Sequence, residues 1–321
     1  CLHLPPLLPP TISETTTKEA TVQAAAILGV GLLYEGSNHR LMTEFLIEEM
    51  GRKPLNDRYA DRESYSLSAG LALGLVTLGA GNYPEKRKAL ADLHLEDRLH
   101  RYMVGGSTTD KDPFEGVGSR AQAKASSDGD NKCSRIMEGP NVNTSVTAPG
   151  ATLALGLMYL RSNNHAVATR LAIPDTHFLL DYVRPDLLML REISKCLIMW
   201  DSVRPSTSWV ESEVPRVISE SMEALSSPPA AGKADVPIDF DVVGIKQSYA
   251  NVVAGACFAM GLKFAGTAHR KAHETLLTEL KRLKKELVTA KNDAENARRE
   301  LREERARPGL LARLKNVVSR E

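Results

Sequence analysis

Nearly continuous runs of small and apolar residues interrupt an otherwise mixed chain at four places, and the four runs share one register. They are Ala25 to Gly36, Ser68 to Gly79, Gly150 to Leu157 and Gly255 to Gly266, and they overlay without gaps as small-small-x-apolar-small-apolar-Gly-Leu. The shared glycines Gly31, Gly74, Gly156 and Gly261 stand 43, 82 and 105 residues apart. The first gap is one period of about 40 residues, the second two, and the third two plus an insertion, which is the spacing of helical-hairpin solenoids.

Such a run alone fits a buried strand or a buried helix. Composition decides for helix: Ala and Leu dominate, β-branched residues are few, and small residues recur at helical spacing, as in Ala25, Gly29 and Gly36. A helix-interior Gly costs about 1 kcal/mol relative to Ala, so its recurrence needs an offsetting gain. Close approach of two helix axes supplies one, through dispersion contacts and burial. Gly29, Gly31, Gly36, Gly74, Gly79, Gly156, Gly261 and Gly266 are therefore the expected repeat-packing residues.

Six residues beyond the shared Gly, three repeats carry Ser37, Ser162 and Thr267, each expected to cap a following helix. Second helices are predicted at about 38–50, 163–172 and from about 268. Gly36 and Gly266 suit the left-handed position that ends the preceding helix. The unit is thus helix, tight turn, helix. Elsewhere, 84–103 reads as one amphipathic helix with Leu90, Leu93, Leu95, Leu99 and Met103 on its apolar side. Another helix is predicted from Pro185 to Trp200, and polar, Gly/Ser-rich stretches at about 104–144 and 225–240 read as mobile insertions.

From Leu276 a heptad appears: Leu276, Leu280, Leu283, Leu287 and Leu301, with Ala290, Ala294 and Ala297 between, lie on one seam. With Leu280 at a, Glu279, Glu286, Asp293 and Glu300 fall at g and Lys284, Lys291, Arg298 and Arg305 at e, so every cross-pair attracts in a parallel two-stranded coil. Self-association through 276–305 and a solvated single helix braced by i,i+4 pairs are both open readings.

Forty-one Lys and Arg balance 40 Asp and Glu, for a formal net charge of +1, which removes any general pull toward nucleic acid or an anionic membrane. No run is expected to reach the roughly 20 apolar residues of a membrane span. Cys1, Cys133, Cys196 and Cys257 are scattered, so neither a zinc site nor a disulfide framework is expected. A chain opening at Cys1 is expected to be part of a longer protein. His269 and His273 share a helix face without a third ligand, Gly29-x-Gly31 and Gly79-x-Gly81 do not complete a phosphate loop, and no nucleophile elbow surrounds Ser66 or Ser68. No catalytic residue, metal or cofactor is expected. Asp61-Arg62-Glu63 reads either as a charged helix entry or as a protein-docking patch; Trp200 and Trp209 are interface or core residues.

The repeat resembles the proteasome/cyclosome repeat. Longer stretches resemble the family of largest subunits of the anaphase-promoting complex (cyclosome): Val22 to Gly36 followed by Ser37-Asn38-His39-Arg40, Asp61-Arg62-Glu63-Ser64-Tyr65-Ser66-Leu67, Tyr102-Met103-Val104-Gly105-Gly106, Pro149 to Leu155, Ala172-Ile173-Pro174-Asp175-Thr176, and Lys263-Phe264-Ala265-Gly266. The resemblance covers roughly residues 1–268. It implies an all-α fold, an α-α superhelix (solenoid or partial toroid), here followed by a coiled-coil-like helix. It also implies a non-catalytic scaffold in a ubiquitin ligase of mitosis, nuclear and cytoplasmic, with docking surface for other subunits and a substrate-recruiting coactivator. A proteasome regulatory-particle-type scaffold and a coiled-coil-oligomerised adaptor are the alternatives. The expected organisation is a Pro-rich lead-in over 1–21, repeats over 22–268, a heptad helix over 269–307 and a basic tail over 308–321. No propeller is expected within this stretch ahead of the repeats, and the likeness is expected to fade after about 275, which bears on whether the superhelix closes.

Overall fold

A computed structural model describes residues 19–51, 62–105, 142–226 and 241–306. Almost all of the two expected insertions, most of the lead-in and the basic tail lie outside the described residues. Among the described residues every regular element is a helix. In chain order these are α1 (Glu19–Leu33), α2 (Arg40–Met50), α3 (Arg62–Val76), α4 (Pro84–Ala89), α5 (Leu95–Val104), α6 (Thr144–Met158), α7 (His165–Arg170), α8 (His177–Leu180), α9 (Pro185–Ile198), α10 (Thr207–Ser212), α11 (Arg216–Ser226), α12 (Val242–Phe264) and α13 (Arg270–Ala306). The chain divides into two compact units, Cys1–Gly266 and Thr267–Glu321.

In the first unit α1, α3, α6, α9 and α12 form a spine, each packed on the next. Their small residues suit this place: an inner spine helix has a neighbour on two sides, so Ala and Gly are needed on both. The shorter helices α2 and α5 lie along the spine, and Ile27, Leu46, Leu73, Leu99, Leu155 and Tyr159 close one core without solvent exposure. The spine also accounts for the long third gap. Helix α9 is a repeat helix whose Ser194-x-Cys196-Leu197 stands in place of small-x-Gly-Leu, with Cys196 just 40 residues after Gly156.

Three expectations are corrected. The stretch 84–103 is not one helix: α4 and α5 are separated by a 3-10 turn at Ala91–Leu93 and by His94 at φ 47°. On a straight helix Leu90 and Leu99 would point about 180° apart, and the break buries both, together with Leu95 and Met103. Helix α9 stops at Ile198, and Trp200 begins a 3-10 turn. Finally, Arg62–Asn82 is long and apolar enough by composition to cross a membrane, at mean hydropathy 1.3 with 56% of its apolar window buried. The α-helix within it has only 15 residues, about 22 Å against a hydrocarbon core of about 30 Å, and its Gly70 and Gly74 face α6 in the spine.

Candidate functional site

The spine is notched at regular places. A Cβ built on Gly31 of α1 would fall 2.6 Å from Ala72 Cα in α3. One on Gly74 would fall 3.1 Å from Ala154 Cα in α6, and one on Gly156 2.9 Å from Ser194 Cα in α9. In each case the partner sits two places before the Gly position of the next repeat. A second notch runs the other way: Gly150 meets Gly70 and the Ser66 carbonyl, and Gly255 meets Glu192 and the Met189 carbonyl. Gly29 and Gly261 depart from the expectation, because no described atom lies within 4 Å of a Cβ on either. They stand on α1 and α12, which among the described residues pack against one spine helix each, α3 and α9. Gly36, Gly79 and Gly266 serve in turns, at φ 63°, 64° and 71°.

Those turns link successive repeats by backbone hydrogen bonds. Gly36 N–H donates to Leu75 O at 2.9 Å, Gly79 N–H to Leu157 O at 3.0 Å, and Arg161 N–H to Leu197 O at 2.9 Å. Asn38 N–H reaches Val76 O at 3.0 Å and Asn163 N–H reaches Ile198 O at 2.9 Å. Each acceptor is one of the last carbonyls of the next spine helix, which has no partner inside its own helix. Positive φ at Asn38, Arg161, Asn163 and Ala268 is what aims the turn.

The expected caps are displaced by two residues for the same reason. His39, Asn164 and His269, rather than Ser37, Ser162 and Thr267, accept from Met42 N–H, Val167 N–H and Ala272 N–H at 3.4, 3.2 and 3.2 Å. Ser37 and Ser162 instead accept from the N–H two residues on, at His39 and Asn164.

Beneath α12 lies a buried charge cluster that sequence reading missed. Lys195 Nζ sits 2.7 Å from Glu192 and 2.6 Å from Glu213, while the Cys196 thiol donates to Glu192 Oε1 at 3.2 Å. Burial, opposed by Lys195, pushes Glu192 up to about 7. The two carboxylates hold Lys195 charged against its burial. Burial, then the two carboxylates, push the Cys196 thiol far above the range of a reactive cysteine. The i,i+3 and i,i+4 spacing of Glu192, Lys195 and Cys196 was legible; Glu213 arrives from the α10 end and was not.

Other polar features are spent on architecture. Tyr159 donates to Glu96, and burial with that carboxylate pushes its hydroxyl up to about 12. A cleft of about 360 Å³ beside them is lined by Lys86, Arg87, His94, Glu96 and Asp97 among others, and its hydroxyl, Thr77, donates to Leu73 O at 2.8 Å. Among the described residues no three His, Cys, Asp or Glu gather as metal ligands.

On the surface, Glu63 is 64% exposed in its side chain and stands 3.7 Å from Arg184, Arg62 opens α3, and Asp61 lies outside the described residues. Trp209 is buried and Trp200 half-buried. Leu276, Leu280, Leu283 and Leu287 lie on α13, where Leu280 and Leu287 are 48% and 69% exposed; the Leu301 side chain lies outside the described residues. Glu279, an expected cross-pairing position, is buried and meets Arg282 at 2.7 Å on its own helix.

A spine of glycine-notched helices tied by turn-to-helix hydrogen bonds defines a repeat-built helical protein with extended surface. The chain matches the APC1 fifth domain over residues 1–312, and it belongs to that family. It is 40% identical over 279 residues to anaphase-promoting complex subunit 1 of Homo sapiens, covering 86% of this chain and 13% of the human protein. It is 37% identical over 256 residues to the subunit 1 of Arabidopsis thaliana, covering 79% and 14%. The negative regulator of mitosis of Emericella nidulans is 31% identical over 285 residues, covering 87% and 12%. The chain thus spans about an eighth of the length of the relatives it matches.

Proposed function

We propose that this chain is a non-catalytic scaffold segment of an anaphase-promoting complex ubiquitin ligase, offering docking surface to other subunits and to a substrate-recruiting coactivator during mitosis, in nucleus and cytoplasm. The observation that carries this reading is the spine itself: glycine notches and turn-to-helix hydrogen bonds stack one repeat on the next, an architecture that builds surface. Family membership and the names of the relatives support the assignment to the cyclosome. Asp61, Arg62 and Glu63 form the proposed docking patch at the start of α3. The seam of Leu276, Leu280, Leu283, Leu287 and Leu301 is a proposed second surface, pairing with a second copy in parallel over 276–305.

The test is affinity purification of the tagged full chain from dividing cells, followed by mass spectrometry. Subunits of the anaphase-promoting complex are expected; recovery of proteasome regulatory-particle subunits instead, or of no stable partner, overturns the reading. Reversing the charges of Asp61, Arg62 and Glu63 is expected to lower recovery of a subset of subunits while leaving thermal stability unchanged.

A further inference from the structure

We propose that the cleft beside Tyr159 receives an acidic linear segment of a partner protein, one apolar side chain entering the cleft and the carboxylates that flank it meeting Lys86 and Lys88.

The cleft sits where the chain breaks between α4 and α5. Its lining comes from residues between Thr77 and Asp97 and from Met158, which puts it at the turn end of α3 and α6. Residues 52–61 and 106–141, outside the described residues, join those two helices at their opposite ends. The walls of the cleft therefore do not depend on where the chain begins or stops.

Its floor is apolar. Ala80, Leu90, Leu95 and Met158 line it, and each is 4%, 5%, 7% and 4% exposed in turn, so they belong to the core and show their edges here. The volume of about 360 Å³ is at the small end of ligand sites, about 300–1,000 Å³. That suits one side chain of a longer segment better than a whole cofactor.

The lip is cationic. Lys86, Arg87 and Lys88 stand together on α4, facing Glu96 and Asp97 across the cleft, but both acids and Arg87 are already engaged. Asp97 meets Arg170 at 3.3 Å, and Glu96 accepts from Tyr159 with Arg87 beside both. Lys86 meets neutral groups, the Gly36 carbonyl at 3.3 Å and the Tyr83 ring at 5.2 Å, and Lys88 is exposed. Among the described residues neither lysine pairs with a carboxylate, whereas Arg40, Arg98, Arg170, Arg184, Lys195 and Arg216 each do.

Two unmatched ammonium groups over an apolar floor select a ligand that is anionic and apolar at once. A nucleic acid strand fits poorly, because Glu96 and Asp97 line the same cleft and repel a continuous run of phosphates. A peptide spaces its carboxylates around them, and Tyr83, 57% exposed beside Pro84, adds an aromatic face for its flank. An anchor in a pocket with charges at the rim is the usual division of a protein interface. The site is separate from Asp61, Arg62 and Glu63, which stand at the other end of α3, and it does not rest on the cyclosome assignment.

Fluorescence anisotropy on the full chain tests the proposal, with labelled short peptides in which Leu or Phe is flanked on both sides by Asp and Glu. They are expected to bind about tenfold tighter than the same peptides with Lys flanks, or with Gly in place of the apolar residue, and to weaken as salt rises. Lys88→Glu is expected to weaken binding by about tenfold, since it turns an attraction into a repulsion. Ala91→Trp, which fills the cleft from an exposed position without changing charge, is expected to remove the preference for an apolar residue. Both variants are expected to keep wild-type helicity and melting, and Lys246→Glu, exposed on α12, is expected to bind as wild type does. Equal binding of acidic and basic peptides, no binding of either at millimolar concentration, or an equal loss on Lys246→Glu and Lys88→Glu overturns the proposal. So does a single-stranded DNA oligomer that binds tighter than the acidic peptides and displaces them, which would make the lip a phosphate site.

Discussion

Gly70 and Gly150 meet backbone to backbone where α3 crosses α6: a Cβ on Gly150 would fall 2.6 Å from Ser66 O and 3.3 Å from Gly70 Cα, and one on Gly70 would overlap Gly150 itself. Neither position can take a methyl group unless the helices separate. Overpacking of this kind costs roughly 1–3 kcal/mol, sometimes more, and here the atoms in the way are backbone. The helix propensity gained by Gly→Ala is about 1 kcal/mol. Gly70→Ala and Gly150→Ala are expected to lose about 2 kcal/mol each in urea unfolding. Gly29→Ala and Gly261→Ala, where the Cβ meets nothing, are expected to gain up to about 1 kcal/mol when measured at low concentration. Equal effects at all four positions would refute the notch geometry.

How much of this was readable follows from what each signal measures. Shared register across Gly31, Gly74, Gly156 and Gly261 gave the spine, because a run of small residues reports a close neighbour whichever helix supplies it. It did not give α9, where Ser194 and Cys196 are small enough to pack but break the Gly-Leu pattern. The caps were misplaced because Ser is the better cap by propensity, whereas the turn needs two left-handed residues before α2 and α7 begin, at Gly36 and Asn38 and at Arg161 and Asn163. Of the Lys195 cluster, the helical spacing of Glu192, Lys195 and Cys196 was legible, whereas Glu213 was not, because it comes from another segment.

Arg161 occupies the turn position held by Gly36, Gly79 and Gly266 in the other repeats, at φ 58° with its N–H engaged. The left-handed region costs an L residue about 1–2 kcal/mol, partly offset by the greater chain entropy Gly loses on folding, about 0.5–1 kcal/mol. Arg161→Gly is therefore expected to stabilise the chain by about 0.5–1 kcal/mol, read from the urea midpoint, and Gly79→Arg to destabilise it. A loss on Arg161→Gly would show that the guanidinium has a role that the backbone does not reveal.

Glu192 gives the stability a pH dependence of unusual sign. Its folded value is raised, mainly by burial, from 4.5 to about 7, so between those limits the folded chain binds more protons than the unfolded one and stability falls as pH rises. Lys195 is also raised, from 10.5; its contribution is complete below that and is lost only in strong alkali. Urea unfolding at pH 5, 6, 7 and 8 is expected to show a decline on the order of 1–3 kcal/mol, because a tenfold change in proton affinity is worth about 1.36 kcal/mol. Glu192→Gln, which keeps shape and leaves Glu213 to hold Lys195, is expected to flatten the profile. A Glu192→Gln curve parallel to wild type would assign the dependence to another group.

Lys263 takes the place of a turn-to-helix bond at the one joint that lacks it among the described residues. After α9 the chain runs through a 3-10 turn instead of the left-handed turn of the other repeats, and its carbonyls point at α12. The Lys263 ammonium donates to Trp200 O at 2.8 Å, Val203 O at 2.9 Å and Asp201 O at 3.4 Å. Bonds to a charged donor contribute about 1.5–3 kcal/mol when partly buried. Lys263→Met, which keeps the stem and removes the donor, is expected to cost about 2 kcal/mol and to speed amide exchange over 199–206 more than over the turn at 36–39. Exchange rising equally in both turns would mean that Lys263 stabilises the spine as a whole and does not replace a missing link between α9 and α12.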